Sequence, residues 1–355
     1  MARTLWLDPR QRLLTWDQTR LPFETVEIEL GSAGDCAAAI ATMQVRGAPL
    51  IGAVAAYGLA FALRSDASDE GLQAAREALL ATRPTAVNLR WALERVARAV
   101  GGLPQADRAA AAWREAAAIC DDDVACNRAI GEHAAALLAP LRRAGEPLQI
   151  LTHCNAGRIA TVDHGTALAA VYALAGAGVP VHVWVDETRP RNQGAGLTAW
   201  ELRERGIAHT VIVDNAGGLL MQQGRVDAAI VGCDRVAANG DVANKVGTYL
   251  KALAARDNDV PFYVACPVST IDPRCRGGDA IAIEERSPRE VTHLRGRAPD
   301  GGIVEVQLTP DGSPAHNPAF DVTPARLVTA LITERGCVEA SPGAIGRLFP
   351  AGALA

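Results

Sequence analysis

Aromatic side chains are scarce in this sequence. Phe, Tyr and Trp make up 4% of 355 residues, while 49% are hydrophobic. A core with so few rings is expected to use closely packed helices and small side chains. Basic runs are missing too. With 35 Lys and Arg against 40 Asp and Glu, the formal charge is −5. That argues against a nucleic-acid surface but leaves room for a few arginines to hold a small anion. None of the eight cysteines (36, 120, 126, 154, 233, 266, 275 and 337) forms a CxxC pair or a zinc-type spacing with histidine. The seven histidines form no HxxE or HxH array, so no metal is expected. The start, MARTLWLDPRQRL, lacks a signal peptide's apolar stretch. The longest apolar segment, near residue 50, is interrupted by Arg46 and reads as a buried helix rather than a membrane span. The expected setting is cytoplasmic and reducing, with no membrane partner. Internal repeats and low-complexity linkers are absent. So are the GxGxxG, GxSxG and P-loop signatures, and no cofactor is expected.

What is present falls into two textures. Residues 3–30 show short β-like alternation broken by Asp-Pro and Leu-Pro, which predicts a small meander. From about 34 to 141 the pattern is helical, with breaks at Arg46–Pro49, Arg83–Pro84 and Gly101–Pro104. After Pro147, short apolar runs appear at Leu148–Thr152, Val181–Val185, Thr210–Val213, Ala228–Val231 and Phe262–Ala265. Helical patterns lie between them, at 164–176, 196–205, 216–223 and 244–256. This alternation predicts an α/β fold: a doubly wound, mostly parallel sheet in residues 145–355, joined to a mainly helical domain with a β meander in residues 1–144. Ligands of such sheets sit at the carboxyl ends of the strands. There the chain places His153-Cys154-Asn155, Asp186-Glu187, Asp214-Asn215 and Cys233-Asp234-Arg235.

Each of these groups admits a plain and a chemical reading. Cys154 is a packing residue at a strand end, or a reactive thiol whose anion is favoured by the start of a following helix. Position alone favours packing. Asp234, after AAIVGC, is a desolvated carboxyl kept protonated as an acid, or a structural partner of Arg235. In AANGDVANKVGTYL, a glycine loop is expected to lead into a helix with Asn244-Lys245 in its first turn, an arrangement suited to phosphate. Arg46-Gly47-Ala48 and Arg83-Pro84 each set an arginine at a helix break, where it holds a phosphate or joins helices. Asp186-Glu187 reads as structural, neutralised by Arg189 and Arg191. His153 reads as a packing or supporting residue.

Longer stretches add a resemblance. VRGAPLIGAVAAYG (45–58), RPTAVNLRWAL (83–93), ILTHCNAG (150–157), VDETRPRNQGAGLTAWEL (185–202), VGCDRVAANGDVANKVGTYLKA (231–252) and EERSPREVTH (284–293) resemble the methylthioribose-1-phosphate isomerase family of methionine salvage. The likeness runs in order from about residue 40 to 336. It implies a small N-terminal domain, a Rossmann-like C-terminal domain and a homodimeric isomerase with Cys154 and Asp234 as its catalytic pair. It also implies that Arg46, Gly47, Ala48, Arg83, Gln193, Asn244 and Lys245 bind a sugar phosphate. Gly196 stands where many relatives have arginine, Arg191-Asn192 replace a more apolar pair, and His164 also departs from the pattern. Related isomerases act on 5-deoxyribose 1-phosphate or ribose 1,5-bisphosphate. The same fold serves the regulatory subunits of the translation-initiation guanine-exchange factor, which are interaction proteins.

Overall fold

The computed structural model describes residues 3–349; the outer ends of the two expected domains, 1–2 and 350–355, lie outside the described residues. The chain opens with the expected meander. Strands β1 (Leu5–Leu7), β2 (Leu13–Trp16) and β3 (Glu27–Glu29) pair antiparallel in that order. Five helices follow: α1 (Ala33–Ala41), α2 (Ala48–Ser65), α3 (Asp69–Thr82), α4 (Val87–Val100) and α5 (Gln105–Leu138). In α4 the buried Leu89, Ala92, Leu93, Val96 and Val100 recur at helical spacing and face the others. Helix α2 is apolar on all sides. It is long enough to cross a bilayer by composition, but residues all round it are buried among its neighbours, as expected of a central core helix.

Helix α5 belongs to two cores. Its early residues Ala112, Ala116 and Ile119 pack with the helices. Its later residues Ile130, Ala134 and Leu138 pack on the sheet that follows. That sheet joins β4 (Leu148–Thr152), β5 (Val181–Asp186), β6 (His209–Ile212), β7 (Ala228–Val231), β10 (Phe262–Ala265), β15 (Ala330–Thr333) and β16 (Gly336–Val338). Among the described residues its order is β16-β15-β10-β7-β4-β5-β6, and all pairs but β15–β16 are parallel. The inner strands are covered on both faces and are mostly apolar, whereas the edge strand β6 is partly exposed. Ile150, Val183 and Ile230 face α5 and α6 (Ala167–Gly176). Leu151, Ala229 and Val264 face the side of α8 (Ala216–Gln222) and α9 (Thr248–Asp257). The short helix α7 (Ala199–Glu204) precedes β6.

Two features depart from the sequence reading. Asn244-Lys245 do not open a helix. They end strand β9 (Val242–Lys245), which forms a hairpin with β8 (Arg235–Ala237). The turn carries Asn239-Gly240, with Gly240 at φ +91°; this dipeptide is a hairpin signal. Helix α9 starts only at Thr248, after Gly247. The hairpin belongs to a second sheet, ordered β11 (Ile271–Asp272), β8, β9, β14 (Phe320–Thr323). Strands β12 (His293–Arg297) and β13 (Ile303–Gln307) make a separate antiparallel pair.

Candidate active site

The sheet has a switch point. From β4 the chain goes outward through β5 and β6, then returns to place β7 on the other side of β4. Crevices of this kind bind ligands. Cys154 follows β4 and Asp234 follows β7. Both line one cavity, roofed by the helical layer, and Arg46, Gly47, Ala48, Arg83, Gln193, Asn244 and Lys245 line it as well. All nine site residues expected from the sequence thus meet at one place.

Cys154 sits in a strained backbone. Its φ is +66°, and that of the nearby Thr188 is +67°; a β-branched residue rarely adopts such a value. Cys154 N–H donates to Thr188 Oγ1 at 2.9 Å, and Thr198 Oγ1 donates to Cys154 O at 2.7 Å. No α-helix starts at the thiol. A single 3₁₀ turn, Arg158–Ala160, comes next, and α6 begins at Ala167. The expected help from a helix terminus is therefore missing. Burial pushes the thiol pKa up, against the pull of Arg46 and Lys245. This favours the thiol over the thiolate.

Asp234 lines the cavity as a largely desolvated carboxyl. Burial raises its pKa, although Lys245, Arg83 and Arg46 pull it down. Arg235 is not its partner, since it donates to Thr85 O at 2.9 Å and approaches Asp272. The cations differ in how far they are compensated. Arg46 donates to Asn155 Oδ1 and Asn155 O, both at 2.7 Å, and these are neutral acceptors. Arg83 meets Glu284 at 3.0 Å. Arg286, a cavity residue the sequence reading passed over, bonds Glu284 and Glu290, and Glu290 also takes Arg191. Lys245 lies 5.2 Å from the ring centroid of Phe320. Gln193 contributes a buried Oε1 without a hydrogen-bond partner among the described residues.

Close backbone approaches shape the cavity. Gly47, at φ +98°, would put a Cβ 2.2 Å from Ala160 O. Gly194 opens a π-helical turn, Gly194–Thr198, and would put a Cβ 1.6 Å from Asp186 O. We expect Gly47→Ala to destabilise the fold by at least about 1–3 kcal/mol from backbone strain alone, with the overlap adding to it. Chemical denaturation measures this, and an unchanged midpoint would contradict it.

Asp186 is neutralised, but not by Arg189 and Arg191. Those reach Val291 O and Glu290. Asp186 Oδ2 instead meets His153 Nδ1 at 2.9 Å and Lys251 Nζ at 3.2 Å. His153 Nε2 donates to Val246 O at 2.8 Å, tying the end of β4 to the residue after Lys245. His153, Asp186 and Asp214 lie close enough to be weighed as a metal site. However, Asp214 accepts the N–H groups of Thr188 and Arg189, and Lys251 already supplies the positive charge.

The chain is similar to known proteins over nearly its whole length. Residues 44–340 match the initiation factor 2 subunit family. The chain is 60% identical to methylthioribose-1-phosphate isomerase of Paramagnetospirillum magneticum, over 98% of this chain and 97% of the relative. It is 59% identical to the enzyme of the same name from Acidiphilium cryptum, over 99% and 97%. Among solved structures, 5-methylthioribose 1-phosphate isomerase from Pyrococcus horikoshii OT3 superposes with a TM-score of 0.84 at 40% identity, covering 98% and 96%. Translation initiation factor eIF-2B subunit delta from A. fulgidus gives 0.79 at 40% identity, covering 96% of both chains. The chain therefore belongs to the methylthioribose-1-phosphate isomerase family, within the wider initiation factor 2 subunit family.

Proposed function

We propose that this chain converts 5-methylthioribose 1-phosphate into 5-methylthioribulose 1-phosphate at the switch-point cavity, with Asp234 as the acid and Cys154 beside the migrating hydrogen. One observation carries the reading: a carboxyl lifted by burial and a thiol share a cavity with Arg46, Arg83 and Lys245, in a chain 60% identical to an isomerase of that name. An aldose ordinarily isomerises through its open aldehyde, and phosphate on the anomeric oxygen blocks that path. The ring oxygen must instead take a proton as its bond to C1 breaks. A carboxylic acid that keeps its proton suits this step. Hydrogen then passes from C2 to C1. It travels as a proton through an enol phosphate with Cys154 as acid and base, or as a hydride with Cys154 steadying the transition state.

The phosphate is read into the ring of cations, and Arg46 should matter most because its partners are uncharged. Arg46→Ala is expected to raise KM by roughly tenfold or more, the loss of charge-assisted hydrogen bonds of about 1.5–3 kcal/mol. Arg83→Ala should raise it less, because Glu284 already offsets that charge. Sulfate should compete with substrate. Steady-state kinetics decide this, and equal KM values for Arg46→Ala and wild type would take Arg46 out of the anion site.

The likeness to a translation factor subunit supports a second reading, a non-catalytic interaction protein, which has no use for a thiol–acid pair. Purified protein tested against 5-methylthioribose 1-phosphate, 5-deoxyribose 1-phosphate and ribose 1,5-bisphosphate separates the readings. We expect kcat/KM for the first to exceed the others by at least about tenfold. Preference for another sugar would reassign the substrate, and no turnover of any would favour the interaction protein. Eight free cysteines fit a reducing cytoplasm. Exposed Val211, Val213, Leu219 and Leu250, on or beside β6, α8 and α9, fit a homodimer contact. A monomer in sedimentation at micromolar concentration would remove that last part.

A further inference from the structure

Glu201, on α7, is buried at 2% exposure and does not line the cavity. Its carboxylate is nonetheless two hydrogen bonds from Arg46. Oε1 accepts from Asn155 Nδ2 at 2.8 Å, and Oε2 accepts from Tyr172 OH at 3.0 Å. Asn155 is the hub. An amide side chain has a donor end and an acceptor end, and it fits most sites either way round. Here the choice is made by its neighbours. Glu201, as a carboxylate, only accepts. Thr198 Oγ1, 3.2 Å from Nδ2, has committed its own hydrogen to Cys154 O, so toward Asn155 it too can only accept. Two acceptor-only partners hold Nδ2 on the far side and turn Oδ1 toward Arg46. The guanidinium then grips Oδ1 and the Asn155 carbonyl together.

We propose that Glu201 is a positioning residue for Arg46: through Asn155 it sets the guanidinium at the angle from which the cavity binds the anionic part of its substrate. This rests on the reading of Arg46 as an anion-binding group. A merely structural carboxylate would affect stability alone. A positioning one affects affinity in a way that depends on Arg46.

Glu201→Met fills the same volume and offers no acceptor. We expect KM, and the inhibition constant of sulfate, to rise about tenfold while kcat stays within about threefold. In an Arg46→Lys background the same change should add little, since the two residues act as one unit. Glu201→Gln keeps an oxygen for Asn155 and should return both constants to within about threefold of wild type. Tyr172→Phe takes a donor from the far oxygen only, and should lower the melting temperature without moving KM. If Glu201→Met leaves both constants unchanged, or costs as much beside Arg46→Lys as alone, Glu201 is structural and the proposal falls. Should the methionine variant not fold, Glu201→Asp withdraws the carboxylate by one methylene and is read by the same constants, with a rise of about threefold or more expected. A wild-type chain that neither isomerises the sugar phosphates nor binds sulfate would instead overturn the reading of the cavity itself.

Discussion

Replacing Asp234 with asparagine should lower turnover by at least about a hundredfold, the lower range for general acid–base catalysis, with substrate still bound. Asparagine keeps the shape and the hydrogen-bonding reach but has no acidic proton to give. The pH profile is the sharper readout. Burial raises the Asp234 pKa, so the wild-type rate should persist on the acid side and fall as pH rises through that raised value. The asparagine variant should lose this descending limb. Stability follows the same sign. The folded state holds a proton that the unfolded chain releases at an ordinary carboxylate pKa. The contribution is therefore complete below the unfolded value and is lost as pH rises through the folded one. Near-normal turnover of Asp234→Asn, with the limb intact, would remove Asp234 from the reaction.

The second large effect belongs to Cys154. Cys154→Ser should lose at least about a hundredfold in kcat while keeping the melting temperature, because the exchange is nearly isosteric and faces a cavity. Chemical labelling gives an independent check. Cys337 is exposed, whereas Cys36, Cys120, Cys266 and Cys275 are buried, so iodoacetamide should mark Cys337 first. With its thiol pushed up by burial, Cys154 should label slowly, faster at alkaline pH, and more slowly still with substrate present. Peptide mass spectrometry follows each site separately. Equal labelling with and without substrate, together with normal turnover of the serine variant, would return Cys154 to the role of a packing residue.

The parts of this fold that could be read locally are those whose signal is local. Leu148–Thr152, Ala228–Val231 and Phe262–Ala265 are apolar on both faces and bounded by turn residues, and they form strands at those limits. Strand β9 could not be found that way. It is four residues long, ends in Asn244-Lys245, and pairs with β14, which lies far along the chain; such pairing leaves no local period. Only Asn239-Gly240 announced a turn. The thiol's surroundings misled for a related reason: an Asn-Ala-Gly after a strand looks like the entry to a helix, but here it enters a 3₁₀ turn. Glu201 was invisible, because a glutamate in an AWELRE helix is ordinarily solvated. Its burial arises only when α7 packs against Asn155 and Tyr172.

The switch point also bears on how the protein is made. Synthesis delivers Arg46 and Cys154 early, and Asp234 and Lys245 only after β6 and α8 have followed. Until β7 has been made and paired with β4, a growing chain has Cys154 with no Asp234 across from it. The two groups meet at one sheet edge only through the β4–β7 pairing. A chain cut before Asp234 is therefore expected to leave phosphorylated sugars untouched.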